Sequence, residues 1–157
     1  MSERRARRRP GENRERLIEA GLIEFGLFGF HGASTAAIAA RAGVPQPHVY
    51  SNFINKQALF LETCAAATRM VLAHERRGLR THASDGTGGH PQRAAPALLA
   101  DAERTILQAL TAVSAPQLAA DLITLLSGFR EAYGDADFEQ VYGSAGVAML
   151  DHALERE

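Results

Sequence analysis

The run Thr35-Ala36-Ala37-Ile38-Ala39-Ala40-Arg41-Ala42, followed by Gly43-Val44 and then by Pro45 to Asn52, constrains this chain more than any other part of it. Helices shorter than about 12 residues are marginal alone in water, so two such short segments must be held by packing. Ser34 is suited to cap a helix over 35–42, in which Ile38 points inward and Ala37, Ala39, Ala40 and Ala42 keep the helix slim. Gly43 can take positive φ without steric cost and ends it. Pro45 fits the first position of a second helix over 45–52, where its missing N–H costs nothing. Two short helices joined by a tight glycine turn are a helix-turn-helix pattern.

The flanks supply what those helices pack on. Leu17, Gly21, Phe25 and Phe28 recur at helical spacing, flanked by Ile18 and Leu22, and predict a helix over 13–28. Gly29 suits its C-terminal cap. Asn55 looks like the cap of a longer helix, 56–80, with Leu59, Phe60, Ala67, Met70 and Val71 inward. Residues 81–96, THASDGTGGHPQRAAP, read as a loop. Three more helices are expected near 97–113, 117–132 and 137–155, broken at Ser114-Ala115-Pro116 and Gly134-Asp135. With 46% apolar residues, no Trp and no alternating β-branched runs, the expected class is all-α. The expected domains are a basic arm at 1–10, disordered when free, a three-helix head at 11–54 and a helical body at 55–157.

Charge divides the chain. Residues 1–60 hold nine Arg or Lys against five Glu, whereas the rest holds eight against thirteen Asp or Glu. Five arginines lie within the first nine positions. A basic head suits a polyanion, because cations near phosphates release condensed counterions, while an acidic body is repelled by one.

Other chemistries find little support. The histidines 31, 48, 74, 82, 90 and 152 never pair at i,i+3 or i,i+4, so no metal is expected. No phosphate loop, nucleophile elbow or Cys–His arrangement points to catalysis, and no cofactor is expected. Asp135, Asp137 and Glu139 sit at a helix start, where carboxylates offset the macrodipole. Cys64 reads as a buried thiol in a reducing cytoplasm. Glu15, Glu19 and Glu24 interrupt any signal-peptide core, and no apolar run reaches the length of a membrane span. A cytoplasmic protein with no membrane partner is expected.

Positions 26–60, GLFGFHGASTAAIAARAGVPQPHVYSNFINKQALF, resemble the DNA-binding head of the tetracycline-repressor (TetR) family of regulators. The resemblance rests on Gly29-Phe30, Ile38-Ala39, Ala42-Gly43-Val44, Tyr50, Phe53, Lys56 and Leu59, and covers roughly residues 14–62. It implies base contacts from Gln46, Pro47 and His48, with Pro45 beside them in the DNA-binding set, and phosphate contacts from Tyr50 and Lys56. Gln can bond an adenine edge in bidentate fashion and His can donate to guanine N7, which agrees with those roles. Ser34 and Thr35 can cap the second helix or bond a phosphate, and Arg7, Arg8 and Arg9 of the arm are candidates for phosphate or minor-groove contact. Ala33 stands where the family usually has Thr.

The resemblance further implies a repressor that binds a palindromic double-stranded DNA operator as a homodimer, through helices near 117–132 and 137–155, and is released by a small-molecule effector. Cys64, Met70, His74, Leu99, Ile106, Leu110 and Phe129 are candidates for the effector pocket, with ordinary core as the competing role. The 81–96 stretch stands where the family has more helix, which points to a reduced pocket. The alternative is a dimeric helical interaction module of the same fold that has lost its response to DNA or effector.

Overall fold

A computed structural model of the chain describes residues 11–82 and 96–143. Within them, every regular element is helical: α1 (Glu12–Gly32), α2 (Thr35–Ala42), α3 (Pro47–Asn52), α4 (Lys56–His82), α5 (Pro96–Ala112) and α6 (Ala119–Tyr133). A further helix, α7, runs from residue 135 to the end of the described region at 143. The expected arm at 1–10, most of the 81–96 loop and the last part of the 137–155 helix lie outside the described residues. Thr81 and His82 continue α4, and Pro96 opens α5.

Most helix stops fall at the predicted residues. Ser34 Oγ accepts the Ala37 N–H at 3.0 Å, and Asn55 Oδ1 accepts that of Ala58 at 2.8 Å. Gly43 closes α2 at φ 63, and Gly134 separates α6 from α7 at φ 100. Two predicted boundaries move. At Gly29 the chain breaks with φ 67 and ψ −177, yet helical turns resume and carry α1 to Gly32. The third helix begins at Pro47 rather than Pro45, because two prolines remove two donors. The first backbone bonds are His48 N–H to the Pro45 carbonyl and Val49 N–H to that of Gln46, each 2.9 Å.

Leu17, Phe25, Ile38, Val49, Leu59 and Phe60 are fully buried, so α1, the α2–α3 pair and the start of α4 share one core. The Phe25 and Phe60 rings meet edge to face at 4.9 Å. Phe28, placed inward by periodicity, is 56% exposed, because it lies beyond the end of that core and lines a cleft beside the α5–α6 turn.

The body grips the head through α5, which lies along α1. A Cβ on Gly26 would stand 3.2 Å from the Asp101 carbonyl oxygen, so a glycine there permits the close approach. The buried Thr105 hydroxyl reaches the Leu22 carbonyl at 2.9 Å, and Gln108 Nε2 donates to that of Gly26 at 3.4 Å. These side chains tie carbonyls one turn apart on α1 to a single stripe of α5.

Candidate nucleic-acid interface

α3 is six residues long and would not persist alone. Val49 is fully buried and Phe53 nearly so, which anchors one side of the helix in the head core. A step of about 100° per residue then turns Pro47 and Ser51 outermost, with Tyr50 and Gln46 on one flank and His48 on the other. All five are exposed, as is Pro45 just before them.

The flanks are tethered to different helices. Toward α2, the Tyr50 hydroxyl lies 3.2 Å from Thr35 Oγ1, and Gln46 Nε2 donates to the same oxygen at 3.4 Å. Thr35 is buried and serves as the joint between α2 and α3, while Ser34 is exposed and spends its oxygen on the helix cap. Toward α1, Asn13 Nδ2 lies 3.2 Å from His48 Nδ1. Arg14 donates to the Asn52 carbonyl at 2.9 Å, pairs with Glu62, and sits 4.5 Å from the centre of the Phe53 ring. Asn52 Nδ2 closes the set with a 2.7 Å bond to the His48 carbonyl.

Lys56, at the first turn of α4, donates to the His31 carbonyl at 3.4 Å and lies 5.0 Å from the centre of the Phe30 ring. Burial holds its ammonium below the usual lysine range, against an opposing pull from Tyr50. Arg7, Arg8 and Arg9 lie outside the described residues.

Between residues 11 and 60 four basic side chains meet four acidic ones. Arg14, Arg41 and Lys56 already have protein partners. The positive excess of the head therefore belongs to the arm.

Sequence reasoning missed Asn13, Ser51 and Asn52. Helical phase counted from Val49 would have found Ser51. Nothing local marks Asn13, which meets His48 from 35 positions away.

Of the candidate pocket residues, Cys64, Ile106, Leu110 and Phe129 are buried core, Met70 and Leu99 pack half-buried against it, and His74 is exposed. Burial raises the Cys64 thiol far above its ordinary range. A cleft of about 350 Å³ opens where α4, α6 and α7 meet, lined by Leu72, Glu75, Arg76, Tyr133, Asp137 and Val141 among others. Among the described residues, no three of His, Cys, Asp and Glu come together as a metal would require, and no helix is long and apolar enough to cross a membrane.

A short exposed helix, held on a three-helix core and joined by a glycine turn to the helix before it, defines the helix-turn-helix class of DNA-binding heads. The family described as bacterial regulatory proteins, tetR family, matches residues 17–63. The match covers most of the three-helix head and the first turns of α4. An uncharacterized HTH-type transcriptional regulator of Bacillus subtilis (strain 168), YdgC, is 43% identical over 51 residues, which are 32% of this chain and 26% of that protein. The match thus spans about a quarter of that relative.

Two solved structures follow nearly the whole chain. The fatty acid degradation regulator FadR from Bacillus halodurans shares 13% identity at a TM-score of 0.47, over 96% of this chain and 87% of its own. A protein from Mesorhizobium loti MAFF303099, described as a tetR-family transcriptional regulator, shares 20% at 0.46, over 96% and 71%.

Proposed function

We propose that this chain is a non-enzymatic transcriptional repressor that binds a palindromic operator as a homodimer and leaves it when a small molecule binds the body. The observation that carries this reading is the face of α3, where Gln46, Pro47, His48, Tyr50 and Ser51 are exposed on a helix anchored by Val49 and Phe53. Gln46 and His48 present base-reading chemistry there, and Tyr50, Lys56 and the arginines of the arm supply phosphate contacts.

One six-residue helix makes few contacts, and two related heads reading two half-sites supply the rest. The helices proposed to pair are α6 and α7. Ala120, Thr124, Gly128 and Ala132 form an exposed line of small side chains one turn apart along α6, which suits close approach of a partner helix. For the effector, the cleft beside Tyr133 has the volume of a small ligand site, and Phe129 stacks behind Tyr133 at 5.2 Å. A ligand there acts only by binding the DNA-competent and released states unequally.

The test is a gel shift with the DNA upstream of the protein's own coding sequence, at several salt concentrations. Retardation that weakens steeply with salt is expected, and none even at low salt overturns the reading. Light scattering is expected to give a dimer at micromolar concentration, and a monomer overturns that part. Partner binding insensitive both to salt and to Gln46→Ala would favour the interaction module instead.

A further inference from the structure

We propose that Asn13 is a positioning residue for base recognition: its amide holds the His48 imidazole in the tautomer with hydrogen on Nε2, so that α3 offers a donor to the major groove. This rests on the DNA-binding reading above.

The contact runs from Asn13 Nδ2 to His48 Nδ1 at 3.2 Å. An amide nitrogen carries hydrogens and can only donate, so Nδ1 must accept. In the neutral ring the single hydrogen then resides on Nε2. His48 is exposed, and its ring makes no other hydrogen bond with the described residues, which leaves Nε2–H available to a ligand.

The two residues are held in register independently of their own bond. Arg14, next to Asn13, grips the Asn52 carbonyl and the Phe53 ring, while Asn52 bonds the His48 carbonyl. The start of α1 and the body of α3 are thereby clamped together, and the amide meets the ring without a search.

The chemical consequence is a choice of base. In the major groove guanine offers N7 and O6, adenine N7 and thymine O4 as acceptors, whereas cytosine offers only its amino donor. An Nε2–H donor therefore selects against cytosine at the base that faces His48. The reversed tautomer would present a bare Nε2 and accept from cytosine instead.

Two measurements test this on the full chain. Long-range 1H–15N correlation spectra of the His48 ring, recorded with the ring neutral and without DNA, are expected to show hydrogen on Nε2 in the wild type. In Asn13→Asp the carboxylate accepts from Nδ1–H, so the spectrum is expected to move to the Nδ1–H or doubly protonated form. A wild-type ring protonated on Nδ1, or identical spectra for wild type and Asn13→Asp, overturns the proposal.

Selection of operators from random DNA is the second arm. Asn13→Ala is expected to lose about five- to tenfold of the discrimination against cytosine at one position per half-site, the worth of one directed hydrogen bond. Unchanged preference in Asn13→Ala overturns the recognition role. If the wild type binds no DNA, the operator reading and this recognition role both fall, whereas the tautomer measurement stands on its own.

Discussion

Glu24 on α1, only 5% exposed, accepts from both Nε and Nη2 of Arg41 on α2, at 2.9 and 2.7 Å. This pair fastens the first helix of the reading unit to the helix that supports it. Its two members are unequal, since Arg41 is largely wet and Glu24 is not. Arg41→Ala leaves a carboxylate in the core with no partner and is expected to cost about 2 kcal/mol, tempered by the exposed side of the arginine. For a domain of this size that is a fall in Tm of about 4–8 °C. Arg41→Ala combined with Glu24→Leu is expected to recover most of the loss, because no buried charge then remains. Thermal melts of the single and double variants check both, and an additive double variant refutes the coupling.

Glycines along the helices should divide by what a Cβ would meet. At Gly21 it would stand 2.7 Å from Oγ1 of Thr63, a fully buried residue whose hydroxyl already donates to the Leu59 carbonyl at 2.7 Å. Gly21→Ala is expected to force α1 and α4 apart and destabilise by about 1–3 kcal/mol. At Gly128 no described residue of the same protomer lies within 4 Å, so alanine there adds about 0.5–1 kcal/mol of helix propensity to a lone protomer, whereas in the proposed dimer it is expected to weaken self-association. Denaturant unfolding reads both signs. A gain of stability with unchanged self-association in Gly128→Ala, read by light scattering, would take that position out of the proposed dimer interface.

Much of this architecture was legible because it rests on local chemistry. Ser34 and Asn55 mark helix starts through bonds from their own side chains, and Gly43 and Gly134 mark helix ends through positive φ that the lack of a side chain permits. Phe28 lies outside the core that its spacing implies, and the third helix starts two residues after Pro45, for different reasons. Periodicity gives the side of a helix and not where its neighbour stops, and two prolines in three positions delay a helix that one would have opened. The joint at Thr35, the clamp at Arg14 and the amide at Asn13 each join residues 11 to 48 positions apart. No local pattern announces such meetings, and the same holds for a body pocket whose wall is set by how α4, α6 and α7 converge.

Alkaline pH should loosen the body. Burial raises the thiol of Cys64 and the hydroxyls of Tyr133 and Tyr142, with Glu75 and Glu103 adding to the shift of both tyrosines. Each group thus holds its proton more tightly when folded. The stability they contribute is full below the unfolded values of 9.0 for Cys and 10.0 for Tyr, and is lost as pH rises through the folded values. Lys56, with its lowered value, pulls the other way near 10.5, but it is one group against three. Tyr142 Oη is buried with no hydrogen-bond partner among the described residues, so Tyr142→Phe is expected to be neutral or slightly stabilising at pH 7. It should also flatten the decline above pH 10. Urea midpoints from pH 7 to 11 decide it, and a parallel decline in both proteins would remove Tyr142 from the account.

Affinity and specificity for DNA should come apart between the arm and α3. Among residues 11–60 basic and acidic side chains balance, so the counterion-releasing charge resides in the five arginines at positions 4, 5, 7, 8 and 9. Each phosphate contact adds about 0.9 to the slope of log affinity against log salt on duplex DNA. Deleting residues 1–10 is therefore expected to lower that slope by about 2–4 units and to weaken all sequences alike. Gln46→Ala removes a base-reading amide and no charge, and is expected to cost about tenfold on the operator with the slope unchanged. Its bond to Thr35 is long, at 3.4 Å, so releasing the amide toward a base costs little. Anisotropy titrations of both variants on operator and random DNA, at four salt concentrations, separate the two effects. A slope untouched by removal of the arm would mean that the cations of α1 and α4 change partners on DNA, Arg14 leaving Glu62 or Lys56 leaving the His31 carbonyl.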